Sequence, residues 1–270
     1  MIYLLSAVIY SFLILVSGGF HMNYIVFDLE FNQSFDFKTG SSAKSNPECP
    51  FVIIQIGAVK LNSSFETAGH FNRYIKPVIY KRIHPYVEKI TAITQEDLKN
   101  GSPFSEVFND FCEFVSPGDD ILCSWGNDDI KSLYRNIRYH SLPSSKMPDR
   151  YMNIQSFATS YLKYEPGKAI GLKTAVEMLN INIESSFHNA LNDAEYTAEV
   201  FKVVKPEILI TERFKPSDIK CAKPKIKAKG INTKSMFKYF SQSLERELTS
   251  EEKAIIKTAY KFGRNNTYDL

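Results

Sequence analysis

The chain has 270 residues, of which 44% are hydrophobic and 13% aromatic, and its formal net charge is +3. This composition excludes intrinsic disorder over most of the length, and it allows one large domain with an appendage. The charge is divided unevenly, because residues 206–270 hold 14 Lys and Arg against 8 Asp and Glu, or +6, which leaves −3 for residues 1–205. An acidic body with a basic tail is compatible with a polyanionic ligand or with a solvated tail.

Cysteine usage indicates a reducing compartment. The four cysteines show no C-x-x-C spacing and no nearby cysteine or histidine partner: Cys49, Cys112, Cys123 and Cys221. This spacing excludes a zinc knuckle and a disulfide framework, and it favours reduced thiols. We therefore expect a cytoplasmic protein.

The N-terminal segment, residues 1–21, is hydrophobic and uncharged, and the first charged residue of the chain is Asp28. A secretory signal normally begins with Lys or Arg, whereas the first Lys here is Lys38. One interpretation is that Met22 is the true start, because a strand begins directly after it. The other is a membrane anchor, since a span requires ~20 apolar residues.

Apolar periodicity predicts strands alternating with helices. "YIVFDLE", "FVIIQIGAVKL" and "HFNRYIKP" are predicted strands, the last two forming a hairpin. Later strands alternate with amphipathic helices, of which "PFSEVFNDFCEFV" places five apolar side chains on one face. The pattern predicts an α/β fold with a mixed sheet packed between helices. We expect a domain over 22–205, a basic linker over 206–235 and a helical appendage over 236–270.

Two carboxylates end the first predicted strand. Asp28 and Glu30 are separated by one residue, so both side chains point to the same face of the strand. Like charges this close repel each other unless a cation lies between them. Carboxylates without thiol or imidazole clusters suit Mg²⁺ or Mn²⁺. The alternative is a strand end that simply emerges into water.

Two later segments carry further candidates. In "SWGNDDIKSL", Asp128 and Asp129 open a helix, where an acid also serves as a cap or complements the helix dipole. In "FHNALNDAEYTAEVF", His188 lies ahead of a helix or in its first turn, and Asp193 lies about one turn inside it. Each of these acids and the histidine also has an ordinary structural interpretation.

The three motifs together resemble the DEDDh family of 3′–5′ exonucleases, which is DnaQ-like and related to ribonuclease H. They occur in the family's order, and the resemblance covers about residues 23–205. "HPYVEKITAITQEDL" and "IGLKTAVEMLNI" are similar to the family's intervening segments. "NPECPFVIIQIGAVKL" and "YMNIQSF" are most similar to the branch of KapD-type and histone-mRNA exonucleases.

The resemblance implies a ribonuclease H-like sheet of three antiparallel strands followed by parallel strands, flanked by helices. It also implies that four carboxylates hold two Mg²⁺ or Mn²⁺ ions: Asp28, Glu30, Asp129 and Asp193. Asp129 fits better than Asp128, because the family's acid is followed directly by the apolar residue that begins the helix; Asp128 is then the expected cap. His188 is the implied general base, since an unperturbed pKa near ~6.5 suits that role at neutral pH.

The implied substrate is the 3′ end of a single-stranded nucleic acid, with RNA favoured over DNA, and the implied products are nucleoside 5′-monophosphates. The alternative is a catalytically silent regulator that binds protein or nucleic acid. Phe31 is either a base-stacking wedge or a core aromatic, and Trp125 is expected in the core. A membrane is a partner only if residues 1–21 belong to the protein, in which case they anchor it.

Overall fold

The computed structural model describes residues 22–205, 211–214 and 233–264. The hydrophobic segment 1–21 and most of the predicted basic linker lie outside the described residues. The described residues fall into two compact units, one before and one after the boundary between residues 222 and 223. The domain limits given above remain predictions.

The first unit contains, among its described residues, seven strands and seven α-helices. The strands are β1 (Tyr24–Gln33), β2 (Phe51–Leu61), β3 (Thr67–Lys76), β4 (Ser102–Pro103), β5 (Ile121–Ser124), β6 (Arg150–Asn153) and β7 (Glu212–Arg213). The helices are α1 (Pro85–Thr91), α2 (Gln95–Asn100), α3 (Phe104–Phe114), α4 (Asp128–Tyr139), α5 (Ile154–Tyr161), α6 (Leu172–Met178) and α7 (Ala190–Val204).

The strands form one mixed sheet in the order β4-β3-β2-β1-β5-β6-β7. β1, β2 and β3 pair in antiparallel fashion, whereas β5 runs parallel to β1 and β6 runs parallel to β5. The short β7 adds an antiparallel edge. The predicted succession of three antiparallel strands followed by parallel strands is confirmed.

Side-chain alternation along β1 separates two layers of core. Ile25, Phe27 and Leu29 pack in the cluster that includes α3 and α4, whereas Tyr24 and Val26 pack in the cluster that includes α7. Because alternate residues of a strand share a face, Asp28 and Glu30 point toward the α7 side. The strand therefore directs its two acids at one particular helix.

Helix α3 covers the opposite face as its periodicity predicts. Phe104, Val107, Phe108 and Phe111 are each at most 2% exposed, and Phe114 packs at the margin of the same cluster. Burial of one such side chain contributes about 1.5–3 kcal/mol, so this face fixes α3 on the sheet. The sheet thereby becomes a rigid support for the residues on its other face.

The second unit contains two described helices, α8 (Thr233–Ser243) and α9 (Ser250–Arg264). The Thr249 hydroxyl accepts a hydrogen bond from the backbone N–H of Glu252, which caps the start of α9. α9 continues through Gly263 to Arg264. No described helix, in either unit, is both long enough and apolar enough to cross a membrane.

Candidate active site

The candidate site lies within β1, just beyond the part of the strand that pairs with β5, and beside the first turn of α7. Glu30 is 9% exposed and pairs across the sheet with Gln55 of β2, while Asp28 pairs with Gly57. β5 runs parallel to β1, so the connection from β5 into α4 leaves the sheet on the same edge. This edge is where open α/β sheets commonly place their ligands.

Helix α4 contributes Asp129 to the group of acids. The negative charge of Asp129 raises the pKa values of both Asp28 and Glu30. Asp128 lies outside the cluster, with a fully exposed side chain whose Oδ1 is 3.7 Å from Nζ of Lys131. The prediction that Asp128 caps the helix is wrong, because Asn127 occupies the N-cap position and Asp128 is the first helical residue. The choice of Asp129 as the candidate ligand remains a prediction, and its position suits it.

The start of α7 brings His188 and Asp193 together. Asn189 is the N-cap, and its side-chain oxygen accepts hydrogen bonds from the N–H groups of Leu191 and Asn192. His188 therefore lies directly ahead of the helix, with an exposed side chain. Its backbone N–H donates to Oδ2 of Asp193 at 3.1 Å, which holds the two residues in one arrangement.

The backbone of His188 has a φ of +64°, in the left-handed region that non-glycine residues rarely adopt. Such a conformation costs on the order of 1–3 kcal/mol and persists where the surroundings enforce it. Here the hydrogen bond to Asp193 and the cap at Asn189 enforce it. The strained residue is therefore His188, which the family resemblance implies as the general base.

A buried amide network attaches this turn to the sheet. Gln55 is fully buried, and its Oε1 accepts a hydrogen bond from the N–H of Ala190 at 3.2 Å. Its Nε2 donates to Oδ1 of Asn72 at 3.0 Å and to Oδ1 of Asn189 at 3.4 Å. Gln55 thus satisfies an N–H group of the first helical turn that the helix itself leaves unpaired.

Gly57 allows α7 to lie directly on β2. A Cβ at this position would be 2.1 Å from the backbone nitrogen of Leu191 and 2.2 Å from the carbonyl carbon of Ala190. Only glycine permits this approach, because the obstructing atoms are backbone and cannot rotate away. The distance between the acids of β1 and Asp193 of α7 therefore depends in part on the absence of a side chain at residue 57.

Burial raises the pKa values of all four carboxyl groups, and repulsion from neighbouring acids raises those of Asp28, Glu30 and Asp129 further. Burial, with the charges of Asp193 and Asp129, raises the pKa of Glu30 to about 8. Burial, with Asp128 and Asp193, raises the pKa of Asp129 to about 7. Burial also raises the pKa of Asp193 to about 6, against the lowering effect of the His188 N–H and side chain.

Asp28 lies at the centre of this repulsion. Burial raises its pKa well above the ordinary value, and the charges of Asp129, Asp193 and Glu30 raise it further. Four carboxyl groups arranged to repel one another are costly without a compensating cation. The cluster is therefore chemically suited to hold positive charge.

Unpartnered polar atoms support the same conclusion. Four buried side-chain atoms lack a hydrogen-bond partner within the described ranges, and they belong to Trp125, Asn127, Asp193 and Thr197. All four residues lie on the β5–α4 connection or on α7. The free atom of Asp193 is Oδ1, while its Oδ2 is occupied by the His188 N–H.

Asp193 is also one of three residues whose ligand atoms lie close enough together to bind one metal ion. One ligand atom from each of Glu30, His188 and Asp193 lies within 4.8 Å of the others. Carboxylate oxygens are the ligands that Mg²⁺ and Mn²⁺ prefer. The residues present thus fit a divalent metal.

Phe31 and Trp125, the two aromatic residues singled out in the sequence, are partly buried against hydrophobic clusters. Phe31 packs against the cluster around α3 and α4, with its ring centroid 6.4 Å from that of Phe51. This packing supports the interpretation of Phe31 as a core aromatic residue and not the interpretation as a base-stacking wedge. Trp125 packs partly buried against the clusters around α5 and α7, as expected.

Known proteins match this chain in sequence and in fold. The sequence model of the exonuclease family matches residues 25–201, well over half of the chain. The chain belongs to the DEDDh, DnaQ-like family of 3′–5′ exonucleases. The resemblance expected from the motifs is therefore confirmed.

Individual relatives agree with this membership. The probable 3′–5′ exonuclease KapD of Bacillus subtilis is 25% identical over 189 residues, which cover 68% of this chain and 88% of that protein. The DNA polymerase III subunit epsilon of Haemophilus influenzae is 31% identical over 150 residues. That alignment covers 55% of this chain and 57% of the subunit, so the chain spans little more than half of that relative.

A solved structure has the same fold. It is the nuclease domain of 3′hExo, a DEDDh family member bound to rAMP, with a TM-score of 0.59 and 21% sequence identity. The comparison covers 72% of this chain and 98% of the domain. The ribonuclease H-like α/β fold is confirmed.

Proposed function

We propose that this chain hydrolyses the terminal phosphodiester bonds of single-stranded nucleic acid from the 3′ end and releases nucleoside 5′-monophosphates. The observation that carries the proposal is the convergence of four repelling carboxyl groups and one exposed histidine at a single edge of the sheet. Family membership supplies the reaction class. The alternative of a catalytically silent regulator is less favoured, because the sequence retains all four acids and the histidine of the motifs.

Asp28, Glu30, Asp129 and Asp193 are proposed to hold two Mg²⁺ or Mn²⁺ ions. Bound divalent ions lower the pKa of coordinated water and stabilise charge on the leaving 3′ oxygen. The unpartnered Oδ1 of Asp193 and the raised pKa values of the four acids are the features of this chain that support such a site.

His188 is proposed to accept the proton of the attacking water. The side chain is exposed at the opening of the cluster, and its backbone is fixed by the bond to Asp193. A general base must lie within hydrogen-bond reach of the water that it deprotonates. An exposed imidazole on a fixed backbone, with a ring nitrogen within 4.8 Å of carboxylate oxygens of Glu30 and Asp193, is suitably placed for this role.

The proposed substrate is the 3′ end of RNA in preference to DNA. The branch resemblance noted in the sequence supports RNA. The solved 3′hExo domain is bound to rAMP, and a related structure concerns 3′-end recognition of a histone mRNA stem-loop. A parallel titration of RNA and DNA strands of one sequence tests the preference.

Removal of the proposed base tests the mechanism. His188→Ala is expected to lower kcat by about 10² to 10⁴, which is the usual contribution of a general base, and to leave the melting temperature nearly unchanged because the side chain is exposed. The matched control is His70→Ala, since Nε2 of this exposed histidine lies 3.6 Å from Glu195 on another part of the surface. Equal kcat values for the two variants would exclude His188 as the base.

A further inference from the structure

The segment that follows β1, near the carboxylate cluster, forms an ordered hairpin. In residues 34–46, Asp36 and Ser41 form an antiparallel bridge, and the Ser34 hydroxyl donates to the carbonyl of Ala43 at 3.0 Å. The end of β1 at Gln33 lies three residues beyond Glu30, or about 10 Å along an extended strand. The sequence predicts only a polar loop here, but the segment is folded and begins near the site.

The hairpin carries two phenylalanines that lie outside every hydrophobic cluster of the described chain. The Phe35 ring meets the Phe37 ring edge-on at 4.9 Å and the His84 ring at 4.6 Å. The guanidinium carbon of Arg82 lies 3.9 Å from the centroid of Phe37, which is 37% exposed. We call Arg82, Phe37, Phe35 and His84 together the aromatic row.

Asn32 attaches the aromatic row to the strand of the site. The Asn32 side chain is fully buried, and its Nδ2 donates to the carbonyls of Tyr80 at 2.6 Å and of Arg82 at 3.0 Å. Its Oδ1 accepts from the N–H of His84 at 2.9 Å. Since Asn32 follows Glu30 by two residues on β1, the row is held in a defined position relative to the acids.

The charge around the row favours an anionic ligand. Arg82 forms no ion pair within the described ranges, and exposed Lys38, Lys44 and Lys81 lie with it on two segments, residues 34–48 and 79–84. The acids of these segments are Asp36 and Glu48, and the Asp36 carboxylate already accepts the backbone N–H groups of Lys38 and Thr39. Four cations against two acids leave this surface positive, in contrast to the carboxylate cluster beside it.

We propose that the aromatic row binds unpaired nucleotides of the single-stranded substrate next to the reacting end. Every base has a π-face that stacks on an exposed ring, and a guanidinium donates to phosphate while it packs on an aromatic face. Phe37 and Arg82 face solvent, so both side chains are accessible to a ligand. This inference rests on the proposed function, because it names how the same site holds its substrate.

Binding to the full-length protein tests the row without catalysis. The probe is a fluorescein-labelled single strand of about 12 nucleotides, within the usual range of site sizes, and its Kd is measured by anisotropy in EDTA so that it is not cut. Phe37→Leu keeps apolar bulk but removes the ring, and Arg82→Gln keeps length but removes charge. Each is expected to weaken binding at least ~5-fold, the lower end for loss of one stacked base.

The controls separate stacking from packing. Phe37→Trp is expected to retain binding, and so is Tyr161→Leu, which alters an exposed aromatic residue at the end of α5. Arg82→Gln should also reduce the slope of log Kd against log salt by about 0.7, the value for one phosphate contact on a single strand. A blunt duplex should bind the wild type and Phe37→Leu equally, because paired bases hide their faces.

Either of two results would overturn the inference. One is a Kd for the single strand within twofold of wild type for both Phe37→Leu and Arg82→Gln, and the other is an equal loss on single strand and duplex. Absence of hydrolysis by the wild type would overturn the proposed function instead, and the Kd comparison would still decide the role of the row. The two failures are therefore distinguishable.

Discussion

At the scale of single residues, Asp128 and Asp129 are neighbours in sequence with opposite environments. The Asp128 side chain is fully exposed beside Lys131, whereas Asp129 is among the acids whose pKa values rise through burial and mutual repulsion. An exposed ion pair of this kind contributes little to stability, because water and salt screen it. The difference in surroundings leads to a difference in expected function.

Asp129→Asn is expected to lower kcat on a single-stranded substrate by on the order of 10²-fold or more, because it removes one of the charges proposed to hold the ions. Asp128→Asn should stay within about twofold of wild type, since a surface pair of this strength changes little. Steady-state kinetics with Mg²⁺ measures both. A harmless Asp129→Asn beside a damaging Asp128→Asn would show that the ligand assignment is reversed.

The sequence favours Asp129 over Asp128 as the ligand, because the apolar Ile130 follows it as in the family that the motifs resemble, and this assignment stays a prediction. The sequence was not sufficient to assign Asp128 a role. Whether an acid caps a helix depends on the residue at which the helical backbone begins, and Asn127 takes the N-cap position here. Local composition favours an acid equally at the cap and in the first turn, so the pattern could not distinguish the two.

At the scale of elements, the site depends on how closely α7 approaches β2. Gly57 permits backbone contact with Ala190 and Leu191, and Gln55 bonds to the same turn. These two β2 residues face Asp28 and Glu30 in the sheet register. Strand β2, which pairs with the strand that carries Asp28 and Glu30, therefore also positions the helix that carries Asp193.

Gly57→Ala is expected to displace the start of α7, because its Cβ would be within 2.4 Å of three backbone atoms. We expect loss of ~1–3 kcal/mol of stability, typical of overpacking, together with a kcat loss that persists at temperatures where the variant is fully folded. The matched control is Gly69→Ala on β3, where the nearest atom is a Phe114 side-chain carbon at 3.4 Å. Melting curves and kinetics of the two variants provide the comparison, and unaltered activity in Gly57→Ala would contradict the close approach.

The strand around Gly57 was predictable, whereas its partner was not. The run "FVIIQIGAVKL" indicates a buried strand by its β-branched residues. Two signals in it were available: a polar Gln inside an apolar run, and an isolated Gly, which in a strand often marks a close backbone approach. Neither signal identifies α7, because the two segments are more than one hundred residues apart and only the folded sheet brings them together.

At the scale of the whole molecule, the carboxylate cluster makes stability dependent on pH and metal. The pKa values of Glu30, Asp129 and Asp193 are raised to about 8, 7 and 6, and that of Asp28 is raised as well. A carboxyl group with a raised pKa contributes stability that is fully present below its unfolded pKa, near ~4, and is lost as pH rises through the folded value. The relevant window therefore extends from about pH 4 to pH 8.

We expect the metal-free protein to melt on the order of 5 °C lower at pH 8.5 than at pH 6, because the folded state must then ionise acids that repel one another. Millimolar Mg²⁺ or Mn²⁺ at pH 8.5 should restore the difference, since an ion that binds only the folded state stabilises it. Glu30→Gln should show a smaller fall over the same window, while the exposed control Glu96→Gln should match the wild type. Differential scanning fluorimetry measures all four cases, and a melting temperature that rose over this window without metal would contradict the account.

Much of the overall architecture was accessible from the sequence, because motif order fixes which strands and helices carry the acids. The hairpin of residues 34–46 was not, since its order depends on Asn32 and on ring contacts between distant segments. Polar composition alone predicts a loop there. The same composition conceals an arrangement of rings and one guanidinium that only the fold assembles.

The central claim is metal-dependent hydrolysis from the 3′ end, and one measurement tests it most directly. Single strands labelled at the 5′ end or the 3′ end are incubated with the purified full-length protein in Mg²⁺, Mn²⁺ or EDTA. The account predicts a progressively shortened ladder from the 5′ label and immediate release of a labelled mononucleotide from the 3′ label, both abolished by EDTA and by Asp28→Ala. Shortening that proceeds from the 5′ end, or that continues in EDTA, would contradict it.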